Sequence, residues 1–290
     1  MPLKATGRVF LRFTGAFALL SLLVPALAAA KPYLSSGDHS RLVNRLTCKV
    51  TDADPTVKIK PRKVVYGHSK KKKPLVAWIV EPAKENRDEA QNVYLIGAQH
   101  GDERNTSRAL DYFVRELKLV SDDYRNERRI IVIPLYNPDG YKRNDRFANE
   151  RIDLNRDFPS SDGAEGAPNA KETQAFMRLM EKYPANLIYN LHQPFRVVLY
   201  YPEHEEIAKP FGLLSDYPLG SDVGYPTPGS LGTWAREQKI PIITVELSRS
   251  MKKAMAPFIY EEIRLALFHA SFGCIPRSAR NSQLERYLAE

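Results

Sequence analysis

Val93-Tyr94-Leu95-Ile96-Gly97-Ala98-Gln99-His100-Gly101-Asp102-Glu103-Arg104-Asn105-Thr106-Ser107 passes from an apolar run through a polar turn into a helix start. Val93 to Ala98 reads as a buried strand. Asn105 stands where a helix cap belongs, and Leu110, Phe113, Leu117 and Val120 follow at helical spacing. A strand that hands polar side chains to the loop before a helix is the unit of an open α/β sheet, and such sheets bind their ligands at the carboxyl ends of strands.

Further strands are expected over 129–135, 186–191, near Val197 to Tyr201, and over 240–247. Helices are expected over 171–183, around Glu205 to Leu214, over 232–238 and from about 255 to 270. Upstream, Val57-Lys58-Ile59-Lys60 and Lys63-Val64-Val65-Tyr66 alternate between Pro55, Pro61 and Gly67, which suggests an antiparallel edge. The run Lys70 to Lys73 lies between Lys63–Tyr66 and Leu75–Val80 and reads as a solvated hairpin turn. The polar stretch from Asn137 to Ala170 is too long for an idle connection in a compact domain, and its Arg, Asn and Asp content favours function. The pattern implies an α/β fold, a mixed central β-sheet flanked by helices, in a single domain. No internal repeat or change of composition argues for a second one.

Residues 1–30 have the layout of a secretory signal peptide: Lys4, Arg8 and Arg12, then the apolar stretch Phe13 to Leu27, then Ala28-Ala29-Ala30. Gly15 and Pro25 interrupt the stretch, which is short for a membrane span of about 20 residues. Cleavage after Ala28 or Ala30 is expected, leaving residues 31–290 as a catalytic domain, periplasmic or secreted, with no stable membrane insertion. The chain's formal charge is +9, of which three positives lie in the leader, leaving +6. That balance suits anionic surroundings such as cell-wall polymers, and nothing resembles a nucleic-acid motif. The two cysteines, Cys48 and Cys274, read either as a disulfide tying the ends of the domain together or as two buried thiols.

Three apolar runs end in metal-type residues: Val93–Ile96 before His100 and Glu103, Leu187–Tyr189 before His192, and Ile240–Val245 before Glu246. Zinc accepts imidazole nitrogen and carboxylate oxygen, and a catalytic site needs three protein ligands and an open position. His100, Glu103 and His192 fill that requirement. Glu246 is then a spare carboxylate placed to act as general base and acid, with Asp102 as its rival. Arg143, Arg146, Arg151 and Arg156 of the long loop supply groups for gripping a carboxylate and for stabilising an oxyanion. These residues point to a zinc-dependent hydrolase.

In this order His-x-x-Glu, Asn-Arg, His and Glu resemble the zinc carboxypeptidase family, over roughly residues 64 to 270. The similarity is strongest to its bacterial murein peptide amidase A branch. It rests on His100-Gly101-Asp102-Glu103, Asn137-Pro138-Asp139-Gly140, Asp153-Leu154-Asn155-Arg156 and Gly224-Tyr225-Pro226-Thr227-Pro228-Gly229-Ser230. The resemblance implies that His100, Glu103 and His192 bind one zinc ion, that Glu246 is general base and acid, and that Asn155 with Arg156 anchors a substrate carboxylate. Arg146 or Arg143 would match the family's oxyanion arginine, and Tyr225 is similar to the tyrosine that closes over substrate in larger relatives. Glu150-Arg151 departs from the Asn-Gly often found in the branch, which bears on the shape of the pocket.

The branch cleaves the γ-D-glutamyl to meso-diaminopimelate bond of peptidoglycan stems. The expected partners are therefore stem peptides or muropeptides, and export would turn such an enzyme on the wall as a D,L-carboxypeptidase able to modify cell shape. Other zinc carboxypeptidases and N-acyl amino acid deacylases share the metal site and form the alternative. A wall-binding protein with an inactive peptidase fold is disfavoured by the complete set of ligands and Glu246.

Overall fold

Eight strands in the order β1-β2-β4-β3-β5-β8-β6-β7 form a single mixed sheet in the computed structural model. It describes residues 34–49, 59–82, 89–120, 127–161, 167–221, 227–250 and 252–280. The strands are β1 (Arg62–His68), β2 (Pro74–Val80), β3 (Gln91–Ile96), β4 (Arg128–Ile133), β5 (Leu187–His192), β6 (Phe195–Tyr200), β7 (Leu219–Gly220) and β8 (Ile242–Ser248). Around them lie the helices α1 (Ser36–Leu46), α2 (Arg104–Leu117), α3 (Pro138–Arg143), α4 (Lys171–Lys182), α5 (Glu205–Ser215), α6 (Leu231–Glu237) and α7 (Ala256–Phe272). The central strands β4, β3, β5 and β8 are parallel. β1 and β2 add an antiparallel hairpin on one side, and β6 returns antiparallel to β8 on the other.

Because side chains alternate along a strand, the sheet divides its apolar residues between two cores. Val93, Leu95, Ile130, Val132, Tyr189, Leu191, Ile243, Val245 and Leu247 pack toward one face, where α2, α5 and α7 contribute Phe113, Phe211 and Phe268. Tyr94, Ile96, Ile131, Ile133, Ile188 and Ile242 pack toward the other, against Phe176 of α4 and Trp234 of α6. The connection from β3 through α2 leads to β4, whereas the connection from β4 through α4 leads past β3 to β5. The chain thus reverses direction across the sheet at β3, which opens a crevice at the carboxyl ends of β3 and β5.

Several local expectations are corrected. Asn105 does not cap α2: Glu103 occupies that position, and Asn105 lies inside the helix, its side chain donating to Ser250 O and its N–H to Gln193 Oε1. The lysine run does form the β1–β2 turn, but it is only partly solvated. Lys73 Nζ donates to Pro138 O at 2.7 Å and lies 3.2 Å from the buried Asp139 carboxylate, which also accepts the Lys71 N–H at 3.1 Å. The stretch 137–170 contains α3 and two short 3-10 turns, Asn149–Arg151 and Leu154–Arg156. Helix α1 was not anticipated; Ser35 caps it by accepting the Asp38 N–H.

Cys48 and Cys274 form a disulfide. Their neighbours are also joined, with the Cys48 N–H donating to Ile275 O at 2.9 Å and the Ile275 N–H to Leu46 O at 2.8 Å. The proposed signal segment, Val57-Lys58 and Tyr225 lie outside the described residues. Among the described residues no helix is long and apolar enough to cross a membrane.

Candidate metal centre and substrate cavity

Parallel pairing of β5 with β8 sets His192 beside Glu246 and Asn190 beside Thr244. All four have the parity of Ile188 and Ile242, so they project from the sheet face that carries α4 and α6. His100 reaches the same point from the turn after β3, and Glu103 from the amino end of α2. Thr106 ties that turn together: its Oγ1 donates to Glu103 O and accepts the Ala98 N–H, both at 2.7 Å. Gly101 is required there, since a Cβ would stand 2.1 Å from the Gly140 carbonyl carbon. Its N–H donates to Arg146 O at 3.3 Å, which fixes the turn against the long loop.

His100, Glu103 and His192 are buried, and one donor atom from each falls within 4.8 Å of the others. Nδ1 of His100 lies 2.7 Å from one Glu103 oxygen and Nδ1 of His192 lies 2.8 Å from the other. Further contacts hold both rings, with Asp153 Oδ1 3.2 Å from Nε2 of His100 and the Asn190 amide 2.8 Å from Nε2 of His192. Burial disfavours the charged form of His100, but Glu103 and Asp153 outweigh it and raise its pKa to about 9. Burial likewise opposes ionisation of Glu103, yet the two imidazoles lower its pKa to about 2. The surroundings therefore stabilise positive charge at the point where the donors meet. Two imidazoles, one carboxylate and supporting contacts to both rings fit a zinc site with a position left open.

Glu246 is 7% exposed and one of its oxygens has no hydrogen-bond partner. Desolvation raises its pKa, opposed by His192. A carboxylate kept free and made more basic beside a metal site suits proton transfer.

A cavity of about 440 Å³ is lined by His100, Glu103 and His192. Arg146 lines it, its Nε 3.0 Å from Asp153 Oδ2 and its Nη1 3.3 Å from Nδ1 of His100. Asn155 and Arg156 line it too; Asn155 Oδ1 accepts the Leu231 N–H at 3.0 Å and Arg156 donates to Asn155 O at 2.6 Å. Arg143 is not brought to the cavity, because its guanidinium donates to Phe147 O and Ala148 O within its own loop. Asp102 is absent from the lining as well. Asp153, Asn190, Thr244 and Arg236 belong to the site or its walls and were given no role from sequence. Asp153 carried a signal, standing two residues before Asn155 in a polar segment, whereas the others depend on register and packing.

The zinc carboxypeptidase family profile matches residues 58–267. The chain is 26% identical over 227 residues to murein peptide amidase A of Escherichia coli K12, covering 70% of this chain and 89% of that protein. It is 28% identical over 204 residues to murein peptide amidase A of Vibrio campbellii, covering 63% and 77%. Among solved structures, murein-tripeptide amidase from Escherichia coli O157 superposes with a TM-score of 0.57 at 24% identity, covering 74% of this chain and 95% of that one. Carboxypeptidase A from Helicoverpa armigera gives 0.60 at 19% identity, covering 80% and 71%. The two structures share the fold, and the profile spans most of the chain. The chain belongs to the zinc carboxypeptidase family and is a metallocarboxypeptidase-like hydrolase.

Proposed function

We propose that the protein is an exported zinc peptidase that hydrolyses the γ-D-glutamyl to meso-diaminopimelate bond of peptidoglycan tripeptide stems. The observation that carries this reading is a single cavity lined both by His100, Glu103, His192 and Glu246 and by the Asn155–Arg156 pair. Similarity to two murein peptide amidases supports the substrate class. The leader-like first thirty residues and the Cys48–Cys274 disulfide support export, since disulfides persist in oxidising compartments.

His100, Glu103 and His192 would hold zinc, which when bound supplies Lewis acidity and makes water a nucleophile at neutral pH. Asn155 and Arg156 grip the α-carboxylate of the leaving residue, aligning its amide with Glu246. Glu246 takes a proton from the attacking water and passes it to the leaving nitrogen. Arg146, held by Asp153, donates to the carbonyl oxygen as it gains charge. Tyr225 is proposed to close over the bound peptide.

The test pairs metal analysis with Glu246→Gln. Wild type should hold one zinc per chain, and the variant should keep it while losing about 10²- to 10⁴-fold in rate on a muropeptide substrate. Activity that survives a chelator, or a variant within tenfold of wild type, would overturn the mechanism.

A further inference from the structure

Beyond the ligands, the cavity is walled by one face of α6, where Arg236 stands one helical turn after Gly232 and Thr233, and by Tyr201 after β6. Gly232 leaves this wall open: a Cβ there would make only ordinary contacts, 3.5 Å to Ser230 Oγ and 3.6 Å to Tyr201 Oη. The Arg236 guanidinium lies over the Tyr201 ring, 4.7 Å from its centroid. A cation held flat on an aromatic face keeps its edge free for a carboxylate. Among the described residues no acidic side chain forms an ion pair with it, and the only acids lining the cavity are Glu103 and Glu246 at the metal end.

Arg156 follows Asn155, whose Oδ1 accepts the N–H of Leu231 at the start of α6, and Arg236 stands in the last turn of that helix. In diaminopimelate the two carboxyl carbons are six bonds apart, so one leaving residue carries carboxylates for two separate guanidiniums. Thr227, Ser230 and Thr233, which also line the cavity, form a hydroxyl cluster, with Ser230 Oγ 3.2 Å from each threonine Oγ1. Those oxygens can accept from the ammonium group at the far end of the same side chain.

We infer that Arg236 is a specificity-determining residue, pairing with a carboxylate at the distal end of the leaving residue's side chain and selecting diaminopimelate over lysine. The inference rests on the proposed peptidase reading, and deepens it. A lysine at that position brings an ammonium without a carboxylate to a guanidinium, and like charges disfavour the complex.

The experiment compares tripeptide stems ending in meso-diaminopimelate or L-lysine, on wild type, Arg236→Ala and Arg236→Glu, with kcat/KM as the readout. Calorimetric binding of the free amino acids to the zinc-loaded proteins gives a second readout independent of turnover. Wild type should favour the diaminopimelate stem by more than tenfold, Arg236→Ala should bring the ratio to within threefold of one, and Arg236→Glu should reverse it. Binding of free diaminopimelate should weaken at least tenfold in both variants. Cleavage of the diaminopimelate stem with a ratio unchanged in Arg236→Ala overturns the role of Arg236 alone. A wild type that is zinc-loaded and cleaves an ordinary C-terminal peptide but neither stem overturns the peptidoglycan reading, and this inference with it.

Discussion

Replacing Lys73 by Met removes a cation that links the β1–β2 turn to the loop carrying Arg146. Asp139 is 1% exposed and its side chain is fully covered, while that of Lys73 is 29% exposed. Exposed pairs couple by about 0.2–1 kcal/mol, and breaking a fully buried one costs about 3–5 kcal/mol. Asp139 would keep the Lys71 N–H and the Asn149 amide, so the charge is not abandoned and the coupling should fall between, near ~2 kcal/mol. Loss of the Lys73 bond to Pro138 O adds about 1 kcal/mol. The single variant should therefore lose about 3 kcal/mol, and at about 2–4 °C per kcal/mol for a domain of this size its Tm should fall by about 6–12 °C. The assay is urea unfolding of wild type, Lys73→Met, Asp139→Asn and the double variant, at fixed zinc concentration. A coupling below about 0.5 kcal/mol would refute the reasoning and return the lysine run to a solvated turn.

Two other outcomes follow from groups that do not line the cavity. His269 is mostly buried, and desolvation, with Arg128 nearby, lowers its pKa to about 4. The unfolded chain takes up this proton near pH 6.5 and the folded chain does not, so the contribution is fully present above pH 6.5 and is lost as pH falls toward 4; His269→Gln should remove about 2–3 kcal/mol of the stability difference between pH 7 and 4.5, and an unchanged difference would contradict the assignment. Replacing both Cys48 and Cys274 by Ser should cost about 2–4 kcal/mol in urea unfolding, because the bond closes a loop between residues 226 positions apart; an unchanged midpoint would show that the bond does not constrain the unfolded chain.

The gathering of His100, Glu103, His192 and Glu246 in one place was legible because chemistry and periodicity coincide there: each follows a recognisable apolar run, and strand ends are where an α/β sheet exposes side chains. The sheet and its flanking helices were legible for the same reason, through the alternation of strand and helix patterns from β3 to α7. What was not legible depends on which strands lie side by side. Asn190 supports His192 only because a side chain two residues earlier shares its face, and Arg236 reaches the cavity only because α6 packs against Tyr201. Lys73 looked like one charge in a solvated run, since nothing local shows that Asp139, 66 positions later, is buried beneath it. Asn105 has the chemistry of a cap, but Glu103 holds the capping position and β8 is followed by an acceptor, Ser250 O, that takes the Asn105 amide.

The central claim is hydrolysis at a leaving residue whose free α-carboxylate is held by Asn155 and Arg156, and it is tested by supplying muropeptides with tri- or tetrapeptide stems to the zinc-loaded protein and following products by mass spectrometry. In the tripeptide that carboxylate is free; in the tetrapeptide it is an amide to D-Ala. Loss of a charge-assisted contact costs about 2–5 kcal/mol, and at about 1.4 kcal/mol per tenfold the tripeptide should be favoured by more than about tenfold in kcat/KM, with diaminopimelate released and the preference reduced in Arg156→Ala. Equal rates on the two stems, or release of D-Ala alone, would contradict the account.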